Sequence, residues 1–280
     1  MFARTIRALK EALFPFRCVL CGSFFCPPET DEDNPALYRS TVNTVFNYPD
    51  HTSFEELTAP FLCPDCLNRF APIRSPVCRQ CGTIFNSKDE VDRLCGDCIT
   101  SPKKFGKARA AGVYEDALME MIHNLKYRGK IQLARPLGSL LFAVFAHVWD
   151  HTRIDFIIPV PLHIKRFRIR GFNQAYLLVR DWPKFARTHG AEIHDLKIEI
   201  ERDILVRSKW TDPQTGLDRK KRMSNIKNAF TVVATDMVKG KRILLVDDVY
   251  TTGATVNECA KTLLKSGAQH VDVLTLARAA

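Results

Sequence analysis

Short apolar runs alternate with amphipathic segments in the second half of the chain. Three runs, residues 154–158, 243–246 and 271–276, are rich in aliphatic and β-branched side chains, which is typical of buried parallel strands. Four segments with the apolar spacing of helices lie around them: residues 115–127, 131–149, 173–187 and 252–266. This alternation predicts an α/β fold, in which a parallel sheet is flanked by helices.

The first 104 residues lack this alternation and are rich in Cys, Pro and polar turn residues. Residues 1–17 have the pattern of a short amphipathic helix, and residues 27–60 are interpreted as a loop insertion. The run Ser101-Pro102-Lys103-Lys104 is typical of a linker. We therefore expect an amino-terminal module, residues 1–104, and a carboxy-terminal α/β domain, residues 105–280.

Eight of the ten cysteines form four C-x-x-C pairs. Two such pairs supply the four thiolates of a closed, tetrahedral zinc site. Pairing in sequence order gives one site from Cys18, Cys21, Cys63 and Cys66 and a second from Cys78, Cys81, Cys95 and Cys98. Only 11 residues separate Cys66 from Cys78, so an interleaved pairing is an alternative. Iron–sulfur clusters, which also use four thiolates, are the main alternative to zinc. A closed site has no open coordination position, so this module is predicted to be structural or a recognition surface.

Charge and hydropathy narrow the class of protein. Residues 1–105 hold 12 Lys/Arg against 13 Asp/Glu, whereas residues 106–280 hold 29 against 18. A basic domain suits nucleic acid or a phosphorylated metabolite, although a merely soluble basic surface is an alternative. The start has no uninterrupted apolar segment of a secretory signal, and the most apolar stretch, residues 137–149, is too short to span a bilayer. We expect a cytoplasmic protein without membrane insertion, whose paired thiols bind metal.

Two adjacent acids, Asp247 and Asp248, end the apolar run 243–246 and precede a threonine-rich turn. A strand-to-helix turn with Gly253 exposes backbone N–H groups at a helix amino terminus, which favours a phosphate. The two carboxylates can accept hydrogen bonds from ribose hydroxyls, at the sheet edge where open α/β folds bind ligands. The segment resembles the signature with which type I phosphoribosyltransferases bind phosphoribosyl diphosphate (PRPP).

A cluster of four cations within six residues, 165–170, follows the run 154–158. Its strand belongs to the same predicted sheet as the acidic turn, so both segments reach the carboxyl edge. This placement favours a diphosphate partner, and a solvated loop is the alternative.

Together these motifs resemble the ComF family, the competence-associated phosphoribosyltransferase-like proteins of bacteria. The matching segments are the four Cys pairs, LKY at 125–127, PVPL at 159–162, RGFNQA at 170–175 and LLVDDVYTTGAT at 244–255. The insertion at 27–60 is a departure from the family pattern and leaves the pairing at the first zinc site less certain. The resemblance implies a double zinc ribbon with two structural Zn²⁺ ions and a type I phosphoribosyltransferase fold.

The resemblance also implies roles for individual residues. Asp247 and Asp248 are the candidate catalytic residues and would bind the ribose hydroxyls, while Arg166 and Arg170, with Mg²⁺, would steady the leaving diphosphate. The remaining candidate PRPP-binding residues are Val249, Tyr250, Thr251, Thr252, Gly253, Ala254 and Thr255.

We expect a PRPP-binding, Mg²⁺-dependent phosphoribosyltransferase-like protein linked to DNA uptake or nucleotide salvage. The alternative is a non-catalytic module that binds single-stranded DNA or senses PRPP, with DNA-uptake proteins as further candidate partners. The cations Lys126, Arg128 and Lys130, together with Tyr127, are a candidate DNA-binding surface. Residues 207–222 are interpreted as a mobile loop that closes over the reacting centre, or as a flexible surface loop.

Overall fold

The protein was analysed as a computed structural model, which describes residues 16–26, 54, 57–58, 61–85, 91–149, 153–188, 199–210 and 226–279. Its strands are β1 (Phe16–Arg17), β2 (Phe24–Phe25), β3 (Ala108–Val113), β4 (Phe156–Pro159), β5 (Leu205–Arg207), β6 (Phe230–Val232), β7 (Arg242–Tyr250) and β8 (His270–Arg278). Its helices are α1 (Pro64–Leu67), α2 (Gly96–Thr100), α3 (Asp116–Tyr127), α4 (Ala134–Val148), α5 (Ile164–Arg170), α6 (Gln174–Val179), α7 (Trp182–Thr188), α8 (Thr235–Val238) and α9 (Ala254–Lys265). A 3₁₀ turn, Ile131–Leu133, precedes α4.

A four-stranded parallel sheet in the order β3-β8-β7-β4 forms the centre of the molecule. Strand β7 pairs with β8 from Arg242 to Tyr250. Its pairing with β4 ends where Val246 faces Pro159. Strand β7 therefore runs beyond the carboxyl end of its neighbour, and Asp247 and Asp248 lie in that projecting part.

The side chains of β7 alternate between two hydrophobic layers, as the period of two in a strand requires. Leu244 and Val246 belong to a layer that contains α4, α6 and α7. Ile243 and Leu245 belong to the opposite layer, which contains α9 and the antiparallel β5–β6 ribbon. Fully burying each such side chain contributes roughly 1.5–3 kcal/mol, so the sheet is fixed from both faces.

The predicted α/β fold is confirmed, and the differences lie in the extent of individual elements. The predicted helix at 131–149 is the 3₁₀ turn followed by α4, and the predicted helix at 173–187 is divided into α6 and α7. Strand β3 was missed because its sequence, ARAAGV, is poor in β-branched residues. Its small residues have a packing reason: a Cβ on Gly112 would lie 2.6 Å from the Phe70 ring and 2.9 Å from the Ala71 oxygen.

The amino-terminal module differs more from expectation. Residues 1–15 of the predicted helix lie outside the described residues, and Phe16–Arg17 form a strand instead. Most of the insertion at 27–60 also lies outside them, but its buried Phe54 stacks on Phe70 with ring centroids 3.9 Å apart. In the expected linker the Lys104 N–H donates to Asn257 Oδ1 at 2.7 Å, so this segment is held against α9. The division at residue 104 stays a prediction.

One helical segment of the described residues, Ile131–Val148, is long and apolar enough to cross a membrane by length and composition alone. Its 18 residues have a mean hydropathy of 1.4, and it begins six residues before the 13-residue stretch, 137–149, that was expected to be too short to span a bilayer. The segment is 61% buried inside the protein, and α4 packs on β3 and β8 of the sheet. These contacts are those of a core helix.

Candidate functional site

The eight paired cysteines form two separate clusters, and in each cluster the four Sγ atoms lie within 4.8 Å of one another. The first cluster consists of Cys18, Cys21, Cys63 and Cys66, and the second of Cys78, Cys81, Cys95 and Cys98. Pairing in sequence order is therefore confirmed, and the interleaved alternative is wrong.

The spacing of the sulfur atoms fits one tetrahedral ion in each cluster. Zn–S bonds of about 2.3 Å place the sulfurs of a tetrahedron about 3.8 Å apart. Cys21 and Cys63 have Sγ atoms 3.6 Å apart, and Cys81 and Cys95 have Sγ atoms 3.7 Å apart. In a four-iron cluster each thiolate binds a different iron, which separates the sulfurs further. The donor set and its geometry thus favour structural zinc over an iron–sulfur cluster.

Backbone N–H groups support the thiolate form in the second cluster. Cys78 Sγ accepts hydrogen bonds from the N–H of Cys81 at 3.5 Å and of Cys95 at 3.3 Å. Burial raises the pKa of Cys78, but these bonds outweigh it and lower the pKa to about 6. Deprotonated sulfur is the form that binds metal, so this residue is prepared for its role as a ligand.

The two acids of β7 have different surroundings. Asp248 is buried, and its Oδ2 atom lies 2.8 Å from Lys126 Nζ at the carboxyl end of α3. Burial opposes the positive charge of Lys126, but the carboxylates of Asp248 and Asp247 outweigh it and raise the pKa of the lysine. Replacing both partners of a buried ion pair by apolar residues of similar volume is often neutral or stabilising, so the position of this pair at the end of the sheet points to function.

Asp247 is partly exposed and lies beside this pair. Its Oδ1 atom accepts the N–H of Asp248 at 2.9 Å. Burial and the neighbouring charge of Asp248 raise the pKa of Asp247 to about 7. Asp247 therefore gains or loses a proton near neutral pH, beside the contact between Asp248 and Lys126.

The turn after β7 has the geometry of a phosphate-binding loop. Gly253 has a φ of 73° and caps α9, and a Cβ there would lie 2.2 Å from the Tyr250 hydroxyl. Only glycine satisfies both conditions. Thr252 Oγ1 accepts the N–H of Ala254 at 3.4 Å, and Thr255 lies in the first turn of α9. The N–H groups at the start of this 12-residue helix face the turn and suit an anion.

The cationic cluster is a helix rather than a loop. His163 Nδ1 accepts the N–H of Lys165 at the start of α5, and Gly171, with a φ of 83°, ends it. Arg166 lies over the Trp210 ring, with its guanidinium carbon 5.6 Å from the ring centroid. Arg170 lies over the Tyr127 ring at 5.3 Å. Because Tyr127 follows Lys126 in α3, this contact places Arg170 on the side of the Asp248 pair.

Two family models match the chain: one described as a phosphoribosyl transferase domain over residues 191–280 and one described as a double zinc ribbon domain over residues 55–99. "Competence protein F" of Haemophilus influenzae is 33% identical over 223 residues, which cover 78% of this chain and 90% of that protein. The chain belongs to the ComF family.

A second relative covers the same share of the chain, and one solved structure is only distantly similar. The "DNA utilization protein YhgH" of Escherichia coli O157:H7 is 32% identical over 220 residues, covering 78% of this ComF chain and 90% of that protein. A solved structure titled "Structure of the allosteric regulatory enzyme of purine biosynthesis" covers 50% of this chain and 24% of its own at 19% identity, with a TM-score of 0.29. That score is too low to carry an argument.

Two cations near Asp247 and Asp248, Lys126 and Arg207, were not predicted to belong to the candidate site. Lys126 was interpreted as uncommitted and available for DNA, which is wrong because it is paired with Asp248. Arg207 was placed in a mobile loop, but it is buried in β5 and lies over the Phe230 ring at 5.5 Å. Burial lowers the pKa of Arg207, the charge of Arg166 lowers it further, and the charge of Asp247 raises it. A lysine in one helix and an arginine in one strand carry no local signal of these contacts.

The rest of the predicted DNA-binding group has contacts of its own. Arg128 Nη1 donates to Asn124 Oδ1 at 3.4 Å, and Lys130 Nζ donates to the Val19 oxygen at 3.1 Å. Residues 211–222 of the predicted mobile loop lie outside the described residues. The roles of Asp247, Asp248, Arg166, Arg170 and the residues 249–255 stay predictions.

Proposed function

We propose that this ComF protein binds PRPP with Mg²⁺ at residues 247–255 and acts on it as a phosphoribosyltransferase-like protein. The observation that carries the proposal is the arrangement at the projecting end of β7. There Asp247, the lysine-paired Asp248 and a glycine turn at a helix amino terminus follow one another within the seven residues 247–253. PRPP carries two groups that such a segment suits, ribose hydroxyls and a phosphate, and a diphosphate that the arginines of α5 suit.

Each part of the ligand has a matching part of the site. The amino terminus of α9 and the hydroxyls of Thr251, Thr252 and Thr255 suit the 5′-phosphate, since they donate hydrogen bonds without adding negative charge. The carboxylates of Asp247 and Asp248 accept hydrogen bonds from the ribose hydroxyls. Such charge-assisted hydrogen bonds contribute about 1.5–3 kcal/mol each.

The diphosphate would lie on the side of α5. Arg166 and Arg170 project from this helix, and their guanidinium groups rest on Trp210 and Tyr127. Aromatic support limits the rotamers of both arginines, so less freedom is lost when they bind an anion.

The oxygen ligands present here suit Mg²⁺, which commonly takes one or two carboxylates together with substrate phosphates. Bound there, the ion would neutralise charge on the diphosphate as it leaves C1 of the ribose. The protein's own contribution is positioning and electrostatic stabilisation by Lys126, Arg166 and Arg170.

Diphosphate release tests turnover. PRPP, Mg²⁺ and a panel of nucleobases are incubated with the protein, and free diphosphate is followed enzymatically. We expect release with at least one acceptor, and at least a tenfold loss in Arg170→Ala. The matched control is Arg168→Ala, an exposed arginine on the same helix, which should retain the wild-type rate. PRPP binding without release for any acceptor would contradict transfer and favour a sensing role.

A second candidate function, binding of single-stranded DNA, is favoured by aromatic side chains that cations flank on the surface. Tyr127 is 68% exposed under Arg170, and Trp210 is 37% exposed with Lys165 and Arg166 over its ring. Bases stack on such rings for about 1–3 kcal/mol each, and the cations contact the phosphates. The name of the Escherichia coli relative, a DNA utilization protein, agrees with this candidate.

A cytoplasmic location is proposed for the same protein, because eight metal-binding thiols require a reducing compartment.

Fluorescence anisotropy with a labelled oligothymidylate tests the second candidate. We expect Trp210→Ala to weaken binding at least fivefold, while Ile169→Ala, an 84% exposed apolar residue of α5, leaves it unchanged. The log–log dependence of affinity on salt should have a slope of about −0.7 for each phosphate contact. An affinity that neither salt nor Trp210→Ala changes would contradict this surface.

A further inference from the structure

Arg278, the last residue of β8, connects the second cysteine cluster to residues 250–255, the proposed phosphate-binding turn, which we call the phosphate loop. Its Nη1 atom donates to the Cys81 oxygen at 2.6 Å, and its Nη2 atom donates to Thr83 Oγ1 and lies 3.8 Å from Cys81 Sγ. The guanidinium carbon also lies 4.3 Å from the centroid of the Tyr250 ring. Arg278 is 8% exposed, so these contacts are made out of water. One buried side chain therefore contacts both a cysteine ligand and the residue that begins the loop.

Tyr250 lies between Arg278 and the turn at Gly253. Its side chain is 3% exposed, and its hydroxyl occupies the space where a Cβ of Gly253 would lie. The Phe105 ring packs edge-on against it, with centroids 6.3 Å apart. Tyr250 and Ala254 also share one hydrophobic layer with Cys78, Cys81 and Cys98. The glycine turn thus rests on Tyr250, and Tyr250 rests on Arg278.

Charge complementarity with the cysteine cluster stabilises Arg278 in this position. Four thiolates around one dication carry a net charge of about −2, and a buried guanidinium beside them compensates part of it. The hydrogen bonds to the Cys81 oxygen and to Thr83 fix the orientation of the guanidinium plane. The position of the knuckle that binds the metal therefore sets the position of Arg278.

We propose that Arg278 and Tyr250 are positioning residues through which the second zinc site orders the phosphate loop. The knuckle fixes the arginine, the arginine fixes the tyrosine ring, and the ring supports the turn at Gly253. The consequence for PRPP affinity rests on the function proposed above, whereas the ordering of the loop does not.

The structure offers a matched control for this proposal. Arg109 in β3 also donates to the second knuckle, with its Nη1 atom 3.4 Å from the Cys78 oxygen and 3.1 Å from the Arg79 oxygen. Burial lowers the pKa of Arg109. Arg109 donates to the knuckle and to the Ala108 oxygen of β3, and β8 separates β3 from β7 in the sheet. Arg109→Met therefore reproduces the loss of a buried arginine at the zinc site.

Hydrogen exchange of the full-length, zinc-loaded protein tests the ordering of the loop. In Arg278→Met we expect the peptide that covers residues 250–258 to exchange at least tenfold faster, with two zinc ions still bound. Arg278→Lys, which keeps the charge but cannot reach both acceptors, should give an intermediate rate. Arg109→Met should leave this peptide at the wild-type rate. Unchanged loop exchange in Arg278→Met, or equal acceleration in Arg109→Met, would overturn the proposal.

Titration of the same proteins with PRPP and Mg²⁺ separates this inference from the proposed function. We expect Arg278→Met to bind PRPP about tenfold more weakly than the wild type and Arg109→Met to bind it equally well. A wild type that does not bind PRPP would contradict the proposed function, and loop exchange would still decide the positioning role. PRPP binding that is equal in Arg278→Met and in the wild type would overturn the inference.

Discussion

The two four-cysteine sites have the same ligands but support different parts of the molecule. At the first site, the Val19 oxygen in the Cys18–Cys21 knuckle accepts hydrogen bonds from Asn124 Nδ2 at 3.3 Å and Lys130 Nζ at 3.1 Å. This knuckle therefore holds the carboxyl end of α3. At the second site, Arg278 joins the knuckle to β7 and the phosphate loop.

The buried Lys126–Asp248 ion pair joins α3, which the first site holds, to β7, which the second site holds. Lys126 belongs to α3, on the side of the first site, and Asp248 belongs to β7, on the side of the second. Neither metal site has an open position for chemistry. The comparison teaches that a closed structural site can matter to the ligand site proposed above, because each cysteine cluster contacts one side of it.

The sites also differ in how their ligands are connected. Between the two pairs of the first site lie 41 residues, from 22 to 62, whereas 13 residues separate the pairs of the second. Closing the longer loop costs about 1 kcal/mol more in chain entropy. Cys21 is exposed, whereas Cys78 is fully buried. We infer that the first site loses its metal more readily.

Removal of one ligand from each site gives the largest expected effect. Cys98→Ser and Cys66→Ser should each reduce the zinc content from two ions to one, because structural zinc binding is coupled to folding. Cys98→Ser should also abolish detectable PRPP binding, whereas Cys66→Ser should weaken it through α3 alone. The measurements are elemental analysis and calorimetry. If both variants bind PRPP as tightly as the wild type, the sites do not support the loop and α3 as described.

Breaking the Lys126–Asp248 ion pair, which joins α3 to β7, should give the next largest effect, a loss of stability. Asp248→Asn leaves the buried charge of Lys126 uncompensated, which costs about 3–5 kcal/mol of unfolding free energy. Adding Lys126→Met should recover most of this loss, because the unpaired charge is then gone. Urea unfolding measures the loss of stability in the single variant and its recovery in the double variant. Equal stability of Asp248→Asn and the wild type would show that the pair is solvated.

The sequence predicted the elements with regular patterns and the ligands with fixed spacing. The apolar runs at 243–246 and 271–276 became β7 and β8, and the C-x-x-C spacing identified both zinc sites. Both signals are local, since they arise from residues a few positions apart.

The contacts that join distant segments could not be predicted in this way. Lys126 and Asp248 are 122 positions apart, and Arg278 lies 197 positions from Cys81. A lysine that ends an amphipathic helix and an arginine that ends a strand are both ordinary surface patterns. Only the fold brings these side chains to buried partners.

Protonation of Asp247 has a smaller effect, which depends on pH, on the stability of the protein and on PRPP affinity. Its pKa of about 7 lies above its ordinary value near 4, so the folded state holds an extra proton between these two pH values. Stability therefore falls as pH rises from 4 to 7, and Asp247→Asn should remove this slope in urea unfolding. The ionised fraction grows about fourfold between pH 6.5 and 8, and PRPP affinity should rise by the same factor.

PRPP titrations of Asp247→Asn at the same two pH values control for the phosphates of the ligand, which also titrate. In Asp247→Asn the affinity should be lower than in the wild type, and its change between pH 6.5 and 8 should be small. The same fourfold rise in both proteins would mean that the ligand, rather than Asp247, causes the pH dependence.

The most direct test of the site at the end of β7 is calorimetry of PRPP with Mg²⁺, using the wild type and the Asp247→Asn/Asp248→Asn variant. Two bound zinc ions and a wild-type circular dichroism spectrum establish that the variant is folded. Each lost charge-assisted hydrogen bond should cost about 1.5–3 kcal/mol, which weakens binding on the order of tenfold or more. We predict saturable binding at one site in the wild type and a loss of at least a hundredfold in the variant. Equal affinity in the two proteins would contradict the assignment of both acids to the ribose.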